Sequence, residues 1–154
     1  MKILFVCTDN YTRSVIAEYC MKDYLKGRNN TSVNVASAGI RATSDISNYS
    51  NAHFGIMHEM GIDTTGFTRT QFKESFFEEY DVIIGMSELH KEHLRQSYNK
   101  NILLFNEVLN GGTTPVNIGH PNSPTFLEDM KQLIIFFREA IPIVLQKINM
   151  NISK

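Results

Sequence analysis

The segment Lys2–Val6 reads KILFV, in which four apolar residues follow the lysine without interruption. A strand with one solvated face alternates polar and apolar residues, whereas a continuous apolar run is typical of a strand covered on both faces. Such strands occur almost only in parallel sheets that carry helices on each side. This segment therefore favours the α/β class.

The rest of the chain alternates short apolar runs with segments of helical periodicity. Further strands are predicted at Val33–Ser37, Val82–Met86 and Ile102–Phe105. Helices are predicted from Ser14 to about Gly27, from Asn51 to Gly61, around Gln71–Glu79, over Glu88–Gln96 and from Thr125 to Ile148. This alternation predicts βαβ units around a parallel sheet of four strands. Because the 154 residues contain no linker or repeat, a single domain over residues 1–154 is expected.

Charge and apolar patterning exclude several classes of protein. The 15 basic and 16 acidic side chains give a net charge of −1, which excludes a strongly basic nucleic-acid-binding protein. No run approaches the ~18 apolar residues of a membrane span, and the N-terminal run is too short for a signal peptide. Cys7 and Cys20 are too few for a disulfide scaffold or a four-ligand zinc site. We expect a cytoplasmic protein that binds no nucleic acid, membrane or metal.

The segment from Cys7 to Ser14 reads CTDNYTRS and lies between the first strand and the first helix. Parallel sheets bind ligands beyond the carboxyl ends of their strands, and Cys7 stands at such an end. The loop N–H groups and the helix N-terminus converge there, which favours an anion and the thiolate of Cys7. The Arg13 guanidinium can donate two hydrogen bonds to phosphate oxygens. We therefore predict an oxyanion loop in which Cys7 attacks phosphorus and forms a phosphocysteine.

A purely structural interpretation of the same residues stays open. A buried cysteine at the end of a strand, followed by a surface arginine, would produce the same pattern. Cys20, on the apolar face of the first helix, is predicted to fill the core without reacting.

The sequence resembles the low molecular weight protein tyrosine phosphatase family over most of its length. The shared segments are KILFVC, the loop 7–14, Ala17-Glu18, Ser37-Ala38-Gly39, Gly61-Ile62 and residues 81–86. The resemblance implies a Rossmann-like sheet of four parallel strands with flanking helices, and hydrolysis of phosphotyrosine without metal or other cofactor. By position, Cys7 is the nucleophile, Arg13 binds phosphate and stabilises the transition state, Asn10 shapes the loop and Ser14 hydrogen-bonds the thiolate. The residues expected to bind the substrate are Thr8, Asp9, Asn10, Tyr11, Thr12 and Arg13.

The loop departs from the family pattern at two positions. Asp9 stands where the family usually has Gly, and its carboxylate would repel a phosphate dianion unless it points away. Thr12 stands where a second cysteine is common, so Cys7 lacks a partner for a protective disulfide.

The family's general acid, an Asp followed by Pro before the last helix, is missing. The corresponding segment, residues 117–124, reads NIGHPNSP and contains no carboxylate. His120, which precedes Pro121, is the nearest match, and a protonated imidazole is able to act as an acid near neutral pH. The alternative is a solvated loop histidine. Glu128 and Asp129 are expected to complement the N-terminus of the last helix.

Two further features bear on the substrate. The aromatic pair that often follows the family's Asp-Pro is absent, and Tyr11 and Tyr49 are candidates to replace it as a wall for the substrate ring. Residues 106–124 contain two adjacent glycines and three prolines, which predicts a long irregular loop that is functional or mobile.

Three functions fit these residues. The first is a cysteine-dependent phosphatase acting on a phosphotyrosine-containing protein or a small aryl phosphate, and slow because the acid is missing. The second is an arsenate reductase that uses an external small thiol, since the sequence has no cysteine after Cys20. The third is a phosphoprotein-binding protein that has lost catalysis.

Overall fold

A computed structural model gives the structure of the chain and describes residues 1–45, 49–117 and 122–152. Its strands are β1 (Lys2–Cys7), β2 (Asn34–Gly39), β3 (Val82–Gly85) and β4 (Leu103–Leu104). Its helices are α1 (Arg13–Gly27), α2 (Ala52–Glu59), α3 (Phe76–Glu79), α4 (Glu88–Tyr98), α5 (Phe105–Asn110) and α6 (Phe126–Ile152).

The four strands form one sheet in the order β2-β1-β3-β4, and all neighbouring pairs are parallel. The first strand of the chain is therefore central, with β2 on one side and β3 on the other. In this register Ile3 lies opposite Val35 of β2 and Val82 of β3. The predicted α/β class and four-stranded parallel sheet are confirmed.

Both faces of β1 are buried, which explains its continuous apolar sequence. Ile3, Phe5 and Cys7 face the larger core, which also contains side chains from α1 and α6. Leu4 and Val6 face a second core, to which α3 and α4 contribute. Successive side chains of a strand alternate between the two faces, so each layer of helices packs on every second residue.

The carboxyl end of β1 is packed closely against the end of β2. Cys7 lies opposite Gly39, the last residue of β2, and the loop after Cys7 passes directly over this glycine. A Cβ atom at position 39 would lie 2.6 Å from the Asn10 nitrogen and 2.8 Å from both the Asp9 carbonyl carbon and the Thr8 oxygen. Only a residue without a side chain fits there.

The predicted helix around Gln71–Glu79 is wrong over its first half, because α3 begins only at Phe76. Gly39 donates its N–H to the Thr70 carbonyl at 2.9 Å, and Phe72 donates its N–H to the Gly39 carbonyl at 2.8 Å. These bonds extend the sheet beyond β2 with a short parallel bridge. Pairing between distant segments overrides the local periodicity here.

The predicted irregular loop over residues 106–124 is wrong at its start, where α5 forms. The Leu104 N–H donates to the Glu107 carboxylate at 2.9 Å, which satisfies a main-chain donor at the beginning of this helix. Phe105 is buried in the larger core. The residue after the helix, Gly111, caps it with a φ of +79°. Short helices of this kind carry too few turns to show a helical period in sequence.

Helix α6 covers the larger core and begins one residue after the predicted start at Thr125. Its buried face includes Ile134, Phe137, Ile141 and Val144. Within residues 1–45, 49–117 and 122–152, no helix combines the length and the apolar character that a membrane crossing requires.

Gly39→Ala is expected to lower the free energy of unfolding by about 1–3 kcal/mol, because the new methyl group overlaps the backbone of the loop after Cys7. The matched control is Gly55→Ala in α2, where a Cβ atom meets no other atom within 4 Å. That variant is expected to be more stable than wild type by up to about 1 kcal/mol, because alanine favours a helix. Urea unfolding measures both, and equal stability of the two variants would contradict the close approach at Gly39.

Candidate active site

Cys7 ends β1, and its sulfur meets the first turn of α1. The Cys7 Sγ lies 2.9 Å from the Ser14 Oγ, and both side chains are buried. The Asn10 Nδ2 donates to the same Ser14 oxygen at 3.0 Å. Because an amide N–H can only donate, the Ser14 hydroxyl keeps its own proton for the sulfur. The loop between β1 and α1 is therefore closed around Cys7.

Asn10 is the polar centre of this loop. Its backbone has a φ of +50°, a left-handed conformation that asparagine tolerates better than most residues. Besides Ser14, its Nδ2 donates to the Ser37 Oγ at 2.8 Å, and its Oδ1 accepts the Thr70 N–H at 2.7 Å. The Ser37 hydroxyl donates in turn to the Glu18 carboxylate at 2.6 Å. Every polar atom of the fully buried Asn10 side chain is thus satisfied.

The first carbonyl groups of the loop are bound by the chain that continues from β2. The Cys7 carbonyl accepts the Ile40 N–H at 3.0 Å, and the Thr8 carbonyl accepts the Arg41 N–H at 2.7 Å. The parallel ladder between β1 and β2 therefore continues for two more peptides after the strands end.

The side chain of Arg69 binds the next carbonyl. Its Nε and one terminal nitrogen donate to the Asp9 carbonyl at 3.0 and 2.9 Å, and its other terminal nitrogen donates to the Ser44 carbonyl at 2.8 Å. The Ser44 hydroxyl donates to the Asp9 carboxylate at 2.7 Å and lies 3.2 Å from the Tyr49 hydroxyl. The Asp9 carboxylate is thus engaged with the segment after β2.

These bonds orient the N–H groups of the loop. A trans peptide directs its C=O and N–H to opposite sides, and no described peptide is cis. The N–H groups of Thr8, Asp9 and Asn10 consequently point away from the partners that hold the preceding carbonyls. Among the described residues, the N–H groups of residues 8–12 donate to no protein acceptor. Together with the N-terminus of α1, they form a nest that suits an anion.

Arg13 is held by two groups at the rim of this nest. One terminal nitrogen donates to the Val116 carbonyl at 3.2 Å, and the other donates to the Thr8 Oγ1 in a longer contact of 3.4 Å. Val116 is itself fixed, because its N–H donates to the Met86 carbonyl at 2.8 Å. The segment between α5 and α6 therefore contributes to the site through its backbone.

A buried histidine stands behind Thr8. The Ser87 N–H donates to the His90 Nδ1 at 3.2 Å, so the proton of the neutral ring is on Nε2, which donates to the Thr8 Oγ1 at 3.0 Å. Burial, followed by the positive charge of Arg13, lowers the pKa of His90 to about 3. A neutral ring beside Arg13 avoids repulsion between two cations.

Tyr11 belongs to an aromatic cluster on the other side of the loop. Its ring lies 5.8 Å from Tyr49, 5.7 Å from Phe54 and 6.2 Å from Phe67, measured between ring centroids. The two tyrosines that the sequence suggests as a wall for a substrate ring are therefore neighbours, and Tyr11 is packed rather than free.

Comparison with known proteins identifies the family. The sequence profile described as Low molecular weight phosphotyrosine protein phosphatase matches residues 2–141. The chain belongs to this family. A Drosophila melanogaster relative, Low molecular weight phosphotyrosine protein phosphatase 1, is 33% identical over 95 residues. That match covers 62% of this chain and 61% of the relative, so the matched part is less than two thirds of the relative's length.

Solved structures of low identity share the fold. A structure of the C7S mutant of YwlE arginine phosphatase, with a phosphorylated active-site serine, superposes with a TM-score of 0.82 at 23% identity and covers 97% of this chain and 96% of its own. Vibrio vulnificus Wzb in complex with benzylphosphonate gives a TM-score of 0.75 at 23% identity, over 95% and 97% of the two chains. The resemblance to this family and its sheet architecture are confirmed.

Most of the expected site residues belong to the loop between β1 and α1. Cys7, Asn10, Arg13 and Ser14 lie in one loop, and Thr12 accepts the Ile16 N–H through its carbonyl at the start of α1.

Outside the loop, Cys20, Glu128 and Asp129 were predicted to have no role in the chemistry. Burial raises the pKa of the Cys20 thiol to about 12, as suits a core residue. Glu128 and Asp129 are exposed in the first turn of α6. The expected acid His120 lies outside the described residues.

Several residues that hold the loop, directly or through another side chain, were not predicted to take part. Arg69 and Val116 lie in segments without a regular pattern, and only the fold brings them to the loop. Ser87 and His90 stand three positions apart at a helix start, a spacing that resembles the Ser-x-x-Glu capping box and offered a weak signal.

The neutral state of His90 predicts a pH-dependent stability. The unfolded histidine takes up a proton near pH 6.5, whereas the folded one does so only near pH 3, so stability falls as the pH is lowered through this interval. Between pH 7 and pH 5, wild type should lose about 2 kcal/mol more than His90→Gln. Urea unfolding at the two pH values measures this difference, and identical losses would show that His90 is not held neutral.

Proposed function

We propose that the chain is a cysteine-dependent phosphatase that hydrolyses phosphotyrosine or other aryl phosphate monoesters through a phosphocysteine intermediate. The observation that carries the proposal is the position of the Cys7 sulfur, 2.9 Å from the Ser14 hydroxyl in a loop whose N–H groups are unpaired within the described ranges. A nucleophile, an anion nest and Arg13 thus occupy one loop. Membership of the phosphatase family supports the same chemistry.

The first step transfers the phosphoryl group to sulfur. The Cys7 thiolate attacks phosphorus, an S–P bond forms, and the bond between phosphorus and the ester oxygen breaks with its electron pair on the leaving phenolate. The loop N–H groups and the Arg13 guanidinium bind the equatorial oxygens and stabilise their charge in the transition state. Arg13 reaches the phosphate by exchanging its contacts with Thr8 and Val116 for the new ligand.

The second step releases phosphate. Water attacks phosphorus, the S–P bond breaks, and sulfur departs as a thiolate that accepts the Ser14 hydroxyl proton in a hydrogen bond. The structural relative YwlE with a phosphorylated active-site serine supports a covalent phosphoenzyme of this kind.

The substrate class follows from the rim of the loop. Tyr11 and Tyr49 pack against each other and are both half-buried, and the part of these rings that stays exposed is the surface offered to a phenyl ring. The complex of Wzb with benzylphosphonate supports an aromatic phosphate ligand. No carboxylate stands where the family has its acid, so turnover of poor leaving groups should be slower by about 10²–10⁴-fold unless another group donates the proton.

A single domain over residues 1–154 and a cytoplasmic location complete the proposal. Two unpaired thiols, Cys7 and Cys20, support a reducing compartment.

Cys7→Ser should abolish the release of phosphate from an aryl phosphate, since an unactivated hydroxyl is a poor nucleophile, yet it should still bind inorganic phosphate. In rapidly quenched wild type, mass spectrometry should find the phosphoryl group on the peptide that contains Cys7. Cys20→Ala removes the other thiol and is the matched control, with turnover retained. If Cys7→Ser turns over substrate as fast as wild type, Cys7 is not the nucleophile.

Two further measurements on wild type, arsenate-dependent thiol oxidation and phosphate binding, separate the alternative functions. Arsenate-dependent oxidation of a small thiol without release of phosphate would indicate an arsenate reductase. Phosphate binding without either reaction would indicate a binding protein.

His120 is proposed as the replacement for the missing acid. If it protonates the leaving oxygen, His120→Ala should steepen the dependence of the rate on the pKa of the leaving phenol, because only acidic phenols depart without a proton. A series of aryl phosphates measured near pH 6 tests this, since a free imidazole titrates near ~6.5. His120→Asp should restore activity toward the least acidic phenols. An unchanged slope in His120→Ala would show that this histidine only occupies the loop.

A further inference from the structure

His53, in the first turn of α2, contacts the active-site loop from behind. Its Nε2 lies 2.8 Å from the Tyr11 carbonyl oxygen. A carbonyl oxygen can only accept, so the Nε2 carries the proton of the neutral ring and the Nδ1 is a bare acceptor. This Nδ1 is buried and has no hydrogen-bond partner in the part of the chain that the structure describes.

The surroundings of His53 are aromatic. Its ring lies 4.1 Å from Phe54 and packs edge-on against Tyr11 at 5.3 Å, measured between ring centroids. The side chain is fully buried, and this burial lowers its pKa to about 4. The imidazole therefore remains neutral, with its proton on the Nε2, throughout the neutral range.

A histidine is a costly residue in this place. A phenylalanine would fill similar space and bury no polar ring atom, whereas His53 buries an unsatisfied Nδ1; a phenylalanine would, however, leave the Tyr11 carbonyl without its donor. The bond to the Tyr11 carbonyl is the one polar contact that the described residues give to its ring. We therefore look for the role of His53 in the loop between β1 and α1, which this bond contacts.

The loop needs a side chain at this position because β2 no longer runs beside it. Backbone N–H groups after β2 hold the carbonyls of Cys7 and Thr8, but the later carbonyls lie beyond the reach of that strand. The Asp9 carbonyl is bound by Arg69 and the Tyr11 carbonyl by His53. The peptide between Tyr11 and Thr12 is trans, so fixing its carbonyl also fixes the direction of the Thr12 N–H.

We propose that His53 is a positioning residue that holds the Tyr11 carbonyl outward and thereby directs the Thr12 N–H into the anion nest. The inference rests on the proposed function, because the nest is taken to bind the phosphate of the substrate. His53 itself touches neither the substrate nor the sulfur; it acts through the peptide that joins Tyr11 to Thr12. It also fixes the Tyr11 ring against α2.

Three variants test this role. His53→Phe removes the donor and keeps the ring packing, so the Kd for inorganic phosphate should rise about tenfold, and kcat for an aryl phosphate should fall by a similar factor. His53→Gln keeps an N–H donor and should recover most of both. His58→Phe, the same change at an exposed histidine of α2, is the matched control and should resemble wild type.

Stability separates positioning from a structural role. His53→Phe removes the unsatisfied Nδ1 but also frees the Tyr11 carbonyl, and these effects oppose each other, so its urea midpoint should stay close to that of wild type while phosphate binding weakens. Phosphate affinity and kcat equal to wild type in His53→Phe would overturn the inference. The inference would also be overturned if His53→Phe and His53→Gln lost phosphate affinity and kcat equally and both variants were less stable than wild type.

The two proposals fail in distinguishable ways. If wild type binds inorganic phosphate but releases none from aryl phosphates, the phosphatase proposal is wrong. Weaker phosphate binding by His53→Phe would still support the positioning role in that case. If wild type does not bind phosphate, the nest is not an anion site, and both proposals are overturned.

Discussion

The three hydrogen bonds of the Asn10 side chain tie the active-site loop to separate parts of the fold. They reach Ser14 at the start of α1, Ser37 in β2 and the backbone of Thr70 beside the sheet. Asn10 is fully buried, so loss of any one partner would leave a polar group unpaired away from water. The left-handed backbone at this residue is maintained because every alternative breaks several of these bonds at once. The conformation of the loop therefore depends on α1, on β2 and on the segment that extends the sheet beside β2.

The electrostatic arrangement of the site follows from that shape. Loop N–H groups and Arg13 supply the positive potential, while the one carboxylate in the loop, Asp9, accepts a hydrogen bond from Ser44. A neutral His90 supports Thr8 without adding a charge beside Arg13. Ser44 and Arg69 engage both the carboxylate and the carbonyl of Asp9. The described residues of the loop therefore present a positive potential with its one carboxylate already engaged.

Local sequence was sufficient for the parts of the molecule whose signals lie within a few residues. The uninterrupted KILFV run predicted a strand buried on both faces, and the change of pattern after Cys7 predicted a loop that leads into the first helix. It failed at Gln71 and at residues 106–110. At Gln71 a bridge to Gly39 replaced the helix that the periodicity indicated. At residues 106–110 the burial of Phe105 stabilises a helix too short to show a period.

The sequence by itself determined the α/β class, the position of Cys7 at a strand end and the position of Arg13 at the start of the following helix. Each of these depends on contacts between near neighbours in the chain. Tertiary structure alone decided which groups hold the loop carbonyls, because Arg69 and His53 lie on elements far from Cys7 in sequence. It also decided that Val116 orients Arg13, since the partner is a backbone oxygen, which any residue at that position would present. A main-chain carbonyl accepts a hydrogen bond whatever the side chain of its residue. The sequence therefore does not show which carbonyls are bound, and the fold must be known before these bonds can be assigned.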